Sequence, residues 1–272
     1  MSKKIILLAG PTASGKSKLA IQLAKKLNGE IINADSMQVY KEFSILSSRP
    51  SKNDLKKVKH HLYGFLSVKK YFSTGDWLSL TKEKINQCIK KKKVPILVGG
   101  TGLYFNAITK GMSKIPQIEP NFRKRIRDLH NKIGQKKFYK KLIEIDPQSK
   151  KIISETDTQR TLRAYEVKKS TKKSIYDWAK NTKSEFLDFE IKKIFINIPK
   201  EELLKNISKR TKLMINNKCI NEVRDFLKLR IDKALSANKI IGVREISNYL
   251  NGFNDITETI DLIKIRTRQY AK

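Results

Sequence analysis

Residues 10–17 read Gly-Pro-Thr-Ala-Ser-Gly-Lys-Ser, and no other stretch constrains the fold as strongly. The spacing is G-x-x-x-x-G-K-S, a pattern whose glycines let the backbone wrap an anion. The apolar run Ile5-Ile6-Leu7-Leu8-Ala9 precedes it and has the length of a buried parallel strand. Leu19, Ala20, Leu23, Ala24 and Leu27 follow at helical spacing. Strand, glycine loop and helix together aim loop N–H groups and a helix N-terminus at phosphate oxygens. Gly10, Pro11, Thr12, Ala13, Ser14, Gly15, Lys16 and Ser17 are therefore expected to bind a di- or triphosphate. Lys16 adds a full charge near the outer phosphate, and the Ser17 hydroxyl is placed to ligate Mg2+. A plain βα turn has no packing use for a lysine beside two glycines. The motif alone does not decide which phosphate compound is held.

At 272 residues the chain suits one large domain or two modest ones. Its net charge of +33 and pI near 10.1 favour a polyanionic partner, nucleic acid first. Scattered lysines on solvated faces, such as Lys90 to Lys93, would give a similar excess without a partner. No apolar run reaches the length of a membrane span, and strand residues begin too early for a signal peptide. Cys88 and Cys219 stand far apart with no Cys/His cluster in the sequence, which predicts a reduced, cytoplasmic chain without a zinc site. His60 and His61 read as packing or capping residues.

Glu30-Ile31-Ile32-Asn33 reads as a second strand, with Gly29 closing the helix before it. Asp35-Ser36-Met37-Gln38 sits at its end, where open parallel sheets place ligands. Asp35 there can bind Mg2+ through water, act as a base, or cap the next turn. Residues 51–58 suggest a short helix, His60 to Leu66 a strand, and Trp77 to Lys92 a helix capped from Ser73-Thr74-Gly75-Asp76. Val94-Pro95-Ile96-Leu97-Val98 is a clear strand, followed by Gly99-Gly100-Thr101-Gly102. Those glycines fit backbone approaching a ligand, or a turn needing positive φ. Thr101 can donate to a phosphate or leaving-group oxygen, or cap a helix. At residues 115–120 the pattern breaks, and 121–183 reads as basic helices. This gives a P-loop core over 1–114 and 191–272 with a helical insertion at 115–190. Within the insertion, Gln159, Arg160 and Arg163 can grip a phosphate or form a solvated face. The core resumes with a strand at Lys193 to Ile198. Helices follow at Lys200 to Asn216, Asn221 to Arg230, and Ile256 to Lys272. The fold class is α/β, a P-loop NTPase-like parallel sheet flanked by helices.

Six stretches together carry a family resemblance: GPTASGKS at 10–17, DSMQVY at 35–40, GGTGLY at 99–104, QRTLRAYEV at 159–167, IIGVRE at 240–245 and TRQYAK at 267–272. In this order they resemble the tRNA dimethylallyltransferases, from about residue 4 to the end. The resemblance implies transfer of a dimethylallyl group from dimethylallyl diphosphate to N6 of the adenine at tRNA position 37, beside the anticodon. The P-loop then holds a diphosphate that leaves, with Mg2+ as the cofactor. Asp35 becomes the base, Thr101 binds the diphosphate near the reacting carbon, and Arg210 contacts it. The implied tRNA contacts are Asp35, Ser36, Met37, Gln38, Thr101, Arg123, Gln159, Arg160, Thr161, Leu162, Arg163, Lys239, Ile240, Ile241, Gly242, Val243 and Arg244. The insertion would hold the anticodon stem-loop. The family suggests a monomer away from membranes. Its chains usually run on past the TRQYAK-like stretch, and Met37 stands where a polar or basic residue is common.

Three other readings compete. An isopentenyltransferase of free AMP, ADP or ATP would share the P-loop and Asp35 but would not need the basic insertion. A P-loop small-molecule kinase would have no use for GGTGLY and QRTLR. A non-catalytic RNA-binding switch would not need Asp35 and Thr101 at two strand ends.

Overall fold

The computed structural model describes residues 3–271. By compactness the chain divides into two units, one of residues 1–109 and 186–272, the other of residues 110–185. Among the described residues the first unit is built on five parallel strands: β1 (Lys4–Ala9), β2 (Gly29–Asn33), β3 (His60–His61), β4 (Val94–Gly99) and β5 (Glu190–Phe195). They lie in the order β3-β2-β4-β1-β5. Leu8 pairs with Val98 and Ile194, and Ile31 pairs with His60 and Ile96. Apolar side chains alternate across the sheet because successive residues of a strand point to opposite faces. Ile5, Leu7, Ile32 and Leu97 pack on one side with Trp77, Ile85 and Tyr104. Ile6, Leu8, Ile31, Ile96 and Val98 pack on the other with Ala20 and Ala24. A parallel sheet covered on both faces needs such continuous apolar strands.

The flanking helices are α1 (Lys16–Lys26), α2 (Lys52–Lys57), α3 (Thr74–Lys90) and α4 (Gly102–Thr109) before the second unit. That unit contains α5 (Pro120–Ile133), α6 (Gln135–Ile145), α7 (Thr158–Thr171) and α8 (Ile175–Ala179). After β5 come α9 (Lys200–Met214), α10 (Asn217–Lys228), α11 (Val243–Leu250) and α12 (Ile256–Tyr270). A separate core joins Val39, Tyr40, Phe43 and Val68 to Cys219, Val223, Ile246 and Ile263.

Several boundaries differ from the sequence expectation, each for a local reason. Helix α1 is closed by Asn28 at φ 51, not by Gly29. Gly29 opens β2, where a Cβ would meet the Val94 carbonyl at 2.7 Å. The strand expected from His60 to Leu66 stops at His61, because Leu62 and Gly64 adopt positive φ. Helix α3 begins at Thr74, since Ser73 and Asp76 form a capping box. Asn216 caps α10, accepting from the amides of Lys218 and Cys219, so that helix starts before Asn221. Strand β5 begins at Glu190, which pairs with Lys4. The second unit spans 110–185, where the expected insertion spans 115–190. Its two ends meet: a Cβ on Gly111 would lie 2.2 Å from the Lys183 carbonyl, and the Ser113 and Thr182 hydroxyls are 3.0 Å apart.

Gly99 is required by protein, where the sequence suggested a ligand or a turn. Its φ is not positive, and a Cβ there would sit 2.0 Å from the Ala34 carbonyl oxygen. Gly99→Ala must push the end of β4 away from the end of β2. It is expected to cost about 1–3 kcal/mol, read as a lower midpoint in urea unfolding.

Candidate active site

Three strand ends meet at one edge of the sheet. Strand β1 runs into the glycine loop, β2 into Asp35, and β4, which lies between them, into Thr101. Open parallel sheets bind ligands at this edge. The loop backbone turns through Ala13 at φ 63 and Gly15 at φ 84, and Gly15 is the N-cap residue of α1. The Lys16 ammonium is folded back onto the loop, donating to the carbonyls of Gly10, at 2.8 Å, and Pro11. Its pKa is lowered to about 8, chiefly by burial; Arg210 lowers it further, and Asp35 opposes the shift. Ser17 lies exposed in the first turn of α1.

Asp35 is pinned from several directions. The Asn33 carboxamide brackets its peptide, accepting from the Asp35 amide at 2.9 Å and donating to the Asp35 carbonyl at 2.9 Å. Asn33 is wholly buried, and the Trp77 indole donates to its carbonyl at 2.8 Å. The Met37 amide donates to the Asp35 carboxylate at 2.9 Å. Burial pushes the Asp35 pKa above its ordinary value; the Met37 amide, Lys16, the Gln38 amide and Arg210 act against it. Thr101 ties β4 to this turn. Its amide donates to the Ala34 carbonyl at 3.2 Å, and its hydroxyl accepts from the Ser36 amide at 3.0 Å.

Arg210 belongs to the same site, since its charge acts on Lys16 and Asp35. Burial holds its pKa below the ordinary value, and Asp35 raises it. Its Nε is buried and has no hydrogen-bond partner among the described residues, and the same holds for the Ser14 hydroxyl in the loop. Buried unpaired donors are costly, and an anion would satisfy both. The carboxylate of Asp35 also raises the pKa of Tyr63 and Tyr104, although burial is the larger cause for each. Tyr104 stacks on Trp77 with ring centroids 4.0 Å apart. A cleft of about 1090 Å3 opens on Gly10, Pro11 and Gly100. Its walls include Phe105, Phe195, Leu203, Leu204 and Ile207, with Arg268 at the same cleft.

The IPP transferase profile matches residues 38–272. The chain belongs to the IPP transferase family. It is 54% identical to the tRNA dimethylallyltransferase of Pelagibacter ubique, over 99% of this chain and 86% of that one. It is 44% identical to that of Rickettsia massiliae, over 99% of this chain and 75% of that one. Among solved structures, the full-length tRNA isopentenylpyrophosphate transferase of Bacillus halodurans has a TM-score of 0.69 at 29% identity, over 99% and 84% of the two chains. A eukaryotic dimethylallyltransferase acting on tRNA has a TM-score of 0.84 at 26% identity, over 99% and 68%. The sheet is P-loop NTPase-like, as the glycine motif and its flanks lead one to expect.

The remaining positions expected from the sequence fall into different environments. Ser36, Met37 and Gln38 are partly exposed, and the Gln38 carboxamide donates to the carbonyls of Ser47 and Ser48. Lys239 and Arg244 are exposed, whereas Ile240 and Val243 are buried in a core and Ile241 packs against it. Gly242 has φ 103, and a Cβ there would meet Leu46 at 2.5 Å. In the second unit Gln159 and Arg160 are exposed, with Arg160 paired to Asp157 at 3.1 Å. Thr161 is wholly buried, its hydroxyl donating to the Asp157 carbonyl at 2.7 Å, and Leu162 packs on the core of that unit. Arg123 and Arg163 are half-exposed.

Asn33, Trp77, Tyr63 and Tyr104 also surround Asp35, although none is a site candidate from the sequence. Asn33 carried a signal as a polar residue inside an apolar strand, and Tyr104 as the last residue of the GGTGLY stretch. The fold also gathers Glu30, His61 and Cys88, although the sequence shows no Cys/His cluster. There the His61 ring contacts the Glu30 carboxylate at 2.6 Å.

Proposed function

We propose that this chain transfers a dimethylallyl group from dimethylallyl diphosphate to N6 of the adenine at tRNA position 37 and releases diphosphate. The reading rests above all on Asp35, a carboxylate held at the end of β2 whose charge acts on Lys16 and Arg210 beside a phosphate loop. Lys16 and Arg210 suit the charge that develops on diphosphate as the C1–O bond breaks. A new bond forms from N6 to C1, and the amine proton passes to the Asp35 carboxylate. An exocyclic adenine amine is barely basic, so the transfer gains from such a base. The apolar cleft walls suit a prenyl tail. Thr101, fixed between the β2 and β4 ends, would bind a diphosphate oxygen. Ser17 offers an exposed oxygen ligand in the first turn of α1, which fits Mg2+; bound there with diphosphate oxygens, the ion would offset leaving-group charge.

The adenine must leave its stack to reach Asp35. We assign the tRNA grip to Ser36 to Gln38, Lys239 and Arg244 in the first unit, and to Arg123, Gln159, Arg160 and Arg163 in the second. Because that grip is largely ionic, binding should weaken steeply with salt. We take the working form to be a monomer in the cytoplasm, where tRNA is found.

The test is to treat unmodified tRNA with enzyme, Mg2+ and dimethylallyl diphosphate, digest it, and locate the added mass. The reading predicts one dimethylallyl group, on the adenine beside the anticodon, while AMP, ADP and ATP offered alongside stay unmodified. Modification of the free nucleotides would transfer the chain to the rival activity.

A further inference from the structure

The second unit is strongly basic, with 21 lysines and arginines against 9 acidic residues between 110 and 185. Most of those acids lie on the surface, but the Asp146 and Glu166 side chains are buried. Asp146 accepts from two neutral hydroxyls, those of Ser149 at 3.0 Å and Ser174 at 2.8 Å. Glu166 is different: the same carboxylate oxygen faces two guanidinium groups from two helices. Arg123 Nε of α5 lies 3.3 Å from its Oε2, and Arg163 Nη1 of α7 lies 3.7 Å away. The Glu166 side chain is 3% exposed, while those of Arg123 and Arg163 are 38% and 41% exposed. The two arginines are close enough for Arg123 to disfavour the charge on Arg163, with burial the larger cause. Left alone, two such neighbours would splay apart.

A core beneath keeps the helices in place. Ile126 and Leu129 of α5 pack with Ala164 and Tyr165 of α7. Glu166 is therefore not needed to join α5 to α7. Its contact to Arg123 uses Nε and leaves the Nη groups out of that pair. A guanidinium fork so held can meet phosphate oxygens.

We propose that Glu166 is a positioning residue for RNA binding: its buried carboxylate holds Arg123 and Arg163 side by side, poised for neighbouring phosphates of the tRNA. This rests on the reading above that the second unit grips tRNA. It also makes a prediction opposite in sign to simple charge counting. Removing a negative charge from an RNA-binding face should tighten binding. If Glu166 acts by holding the arginines, removing it should loosen binding instead.

The experiment measures the dissociation constant for unmodified tRNA across a KCl series, using the full chain. Glu166→Gln keeps the shape and removes the charge. It should weaken binding about fivefold or more and make the salt dependence shallower by roughly one unit of slope. Glu166→Asp keeps the charge but draws it back from both arginines, and it should also weaken binding. Arg123→Gln/Arg163→Gln should weaken binding more, and adding Glu166→Gln to that pair should change nothing further. Unchanged or tighter binding by Glu166→Gln would overturn the inference, as would unchanged binding by Glu166→Asp should the glutamine variant not fold. A loss from Glu166→Gln that persists without the arginines would also overturn it, because the effect would not run through them. If the double arginine variant binds normally, the reading of this unit as a tRNA grip itself fails.

Discussion

Asp35→Asn is expected to slow prenyl transfer in a single turnover by about 10²- to 10⁴-fold while tRNA affinity changes only a few-fold. Asparagine keeps the shape and can still accept from the Met37 amide, which donates to Asp35 at 2.9 Å. What it loses is the ability to take the amine proton. The same change should not destabilise the fold at neutral pH. Burial raises the Asp35 pKa in the folded state, so folding favours its protonated form. The cost of ionising it is absent below the unfolded pKa and present in full above the raised folded pKa. A neutral asparagine avoids that cost, so its melting temperature at pH 7 should equal or exceed the parent's. Transfer by the parent enzyme should fall as pH drops through the raised pKa of Asp35, because the base must be ionised. A rapid-quench assay across pH tests all of this, and near-parental transfer by Asp35→Asn would remove Asp35 as the base.

Lys16→Ala is expected to lower turnover by about 10²- to 10³-fold and to weaken binding of dimethylallyl diphosphate, with tRNA affinity little changed. The ammonium is held on the Gly10 and Pro11 carbonyls, ready to move to a diphosphate oxygen. Its pKa near 8 adds a pH signature. Below that value Lys16 enters the complex already charged and adds no pH dependence of its own to diphosphate affinity. Above it the bound anion must draw a proton onto Lys16, and affinity should fall by up to about tenfold per pH unit. Titration calorimetry in buffers of different ionisation enthalpy should show proton uptake at pH 9 and none attributable to Lys16 at pH 6.5. The alanine variant should lose that uptake. Uptake that persists would assign the proton to another group.

The local motifs were legible because their physics is local. A phosphate loop between an apolar strand and an amphipathic helix is defined within about 20 residues. The strand-end rule then brought Asp35 and Thr101 to the same edge with no knowledge of strand order. The support of these residues was not legible. Asn33 brackets the Asp35 peptide, and Trp77, 44 positions away, donates to the Asn33 carbonyl. Gly99 looked like part of a ligand loop, but its missing side chain admits the Ala34 carbonyl. Thr161 lies in a stretch that reads as an RNA contact, yet it is buried while its neighbour Arg160 is exposed. Helical neighbours point in different directions, and one motif string mixes contact residues with the packing that carries them. The gathering of Glu30, His61 and Cys88 likewise needs three separate elements.

The most direct measurement follows radiolabelled dimethylallyl diphosphate with Mg2+ and unmodified tRNA, counting label in tRNA against diphosphate released and ATP consumed. One diphosphate is expected for each label fixed in tRNA, with no label in free AMP, ADP or ATP and no ATP consumption. Label in the free nucleotides, or ATP hydrolysis without transfer to tRNA, would contradict the proposed activity.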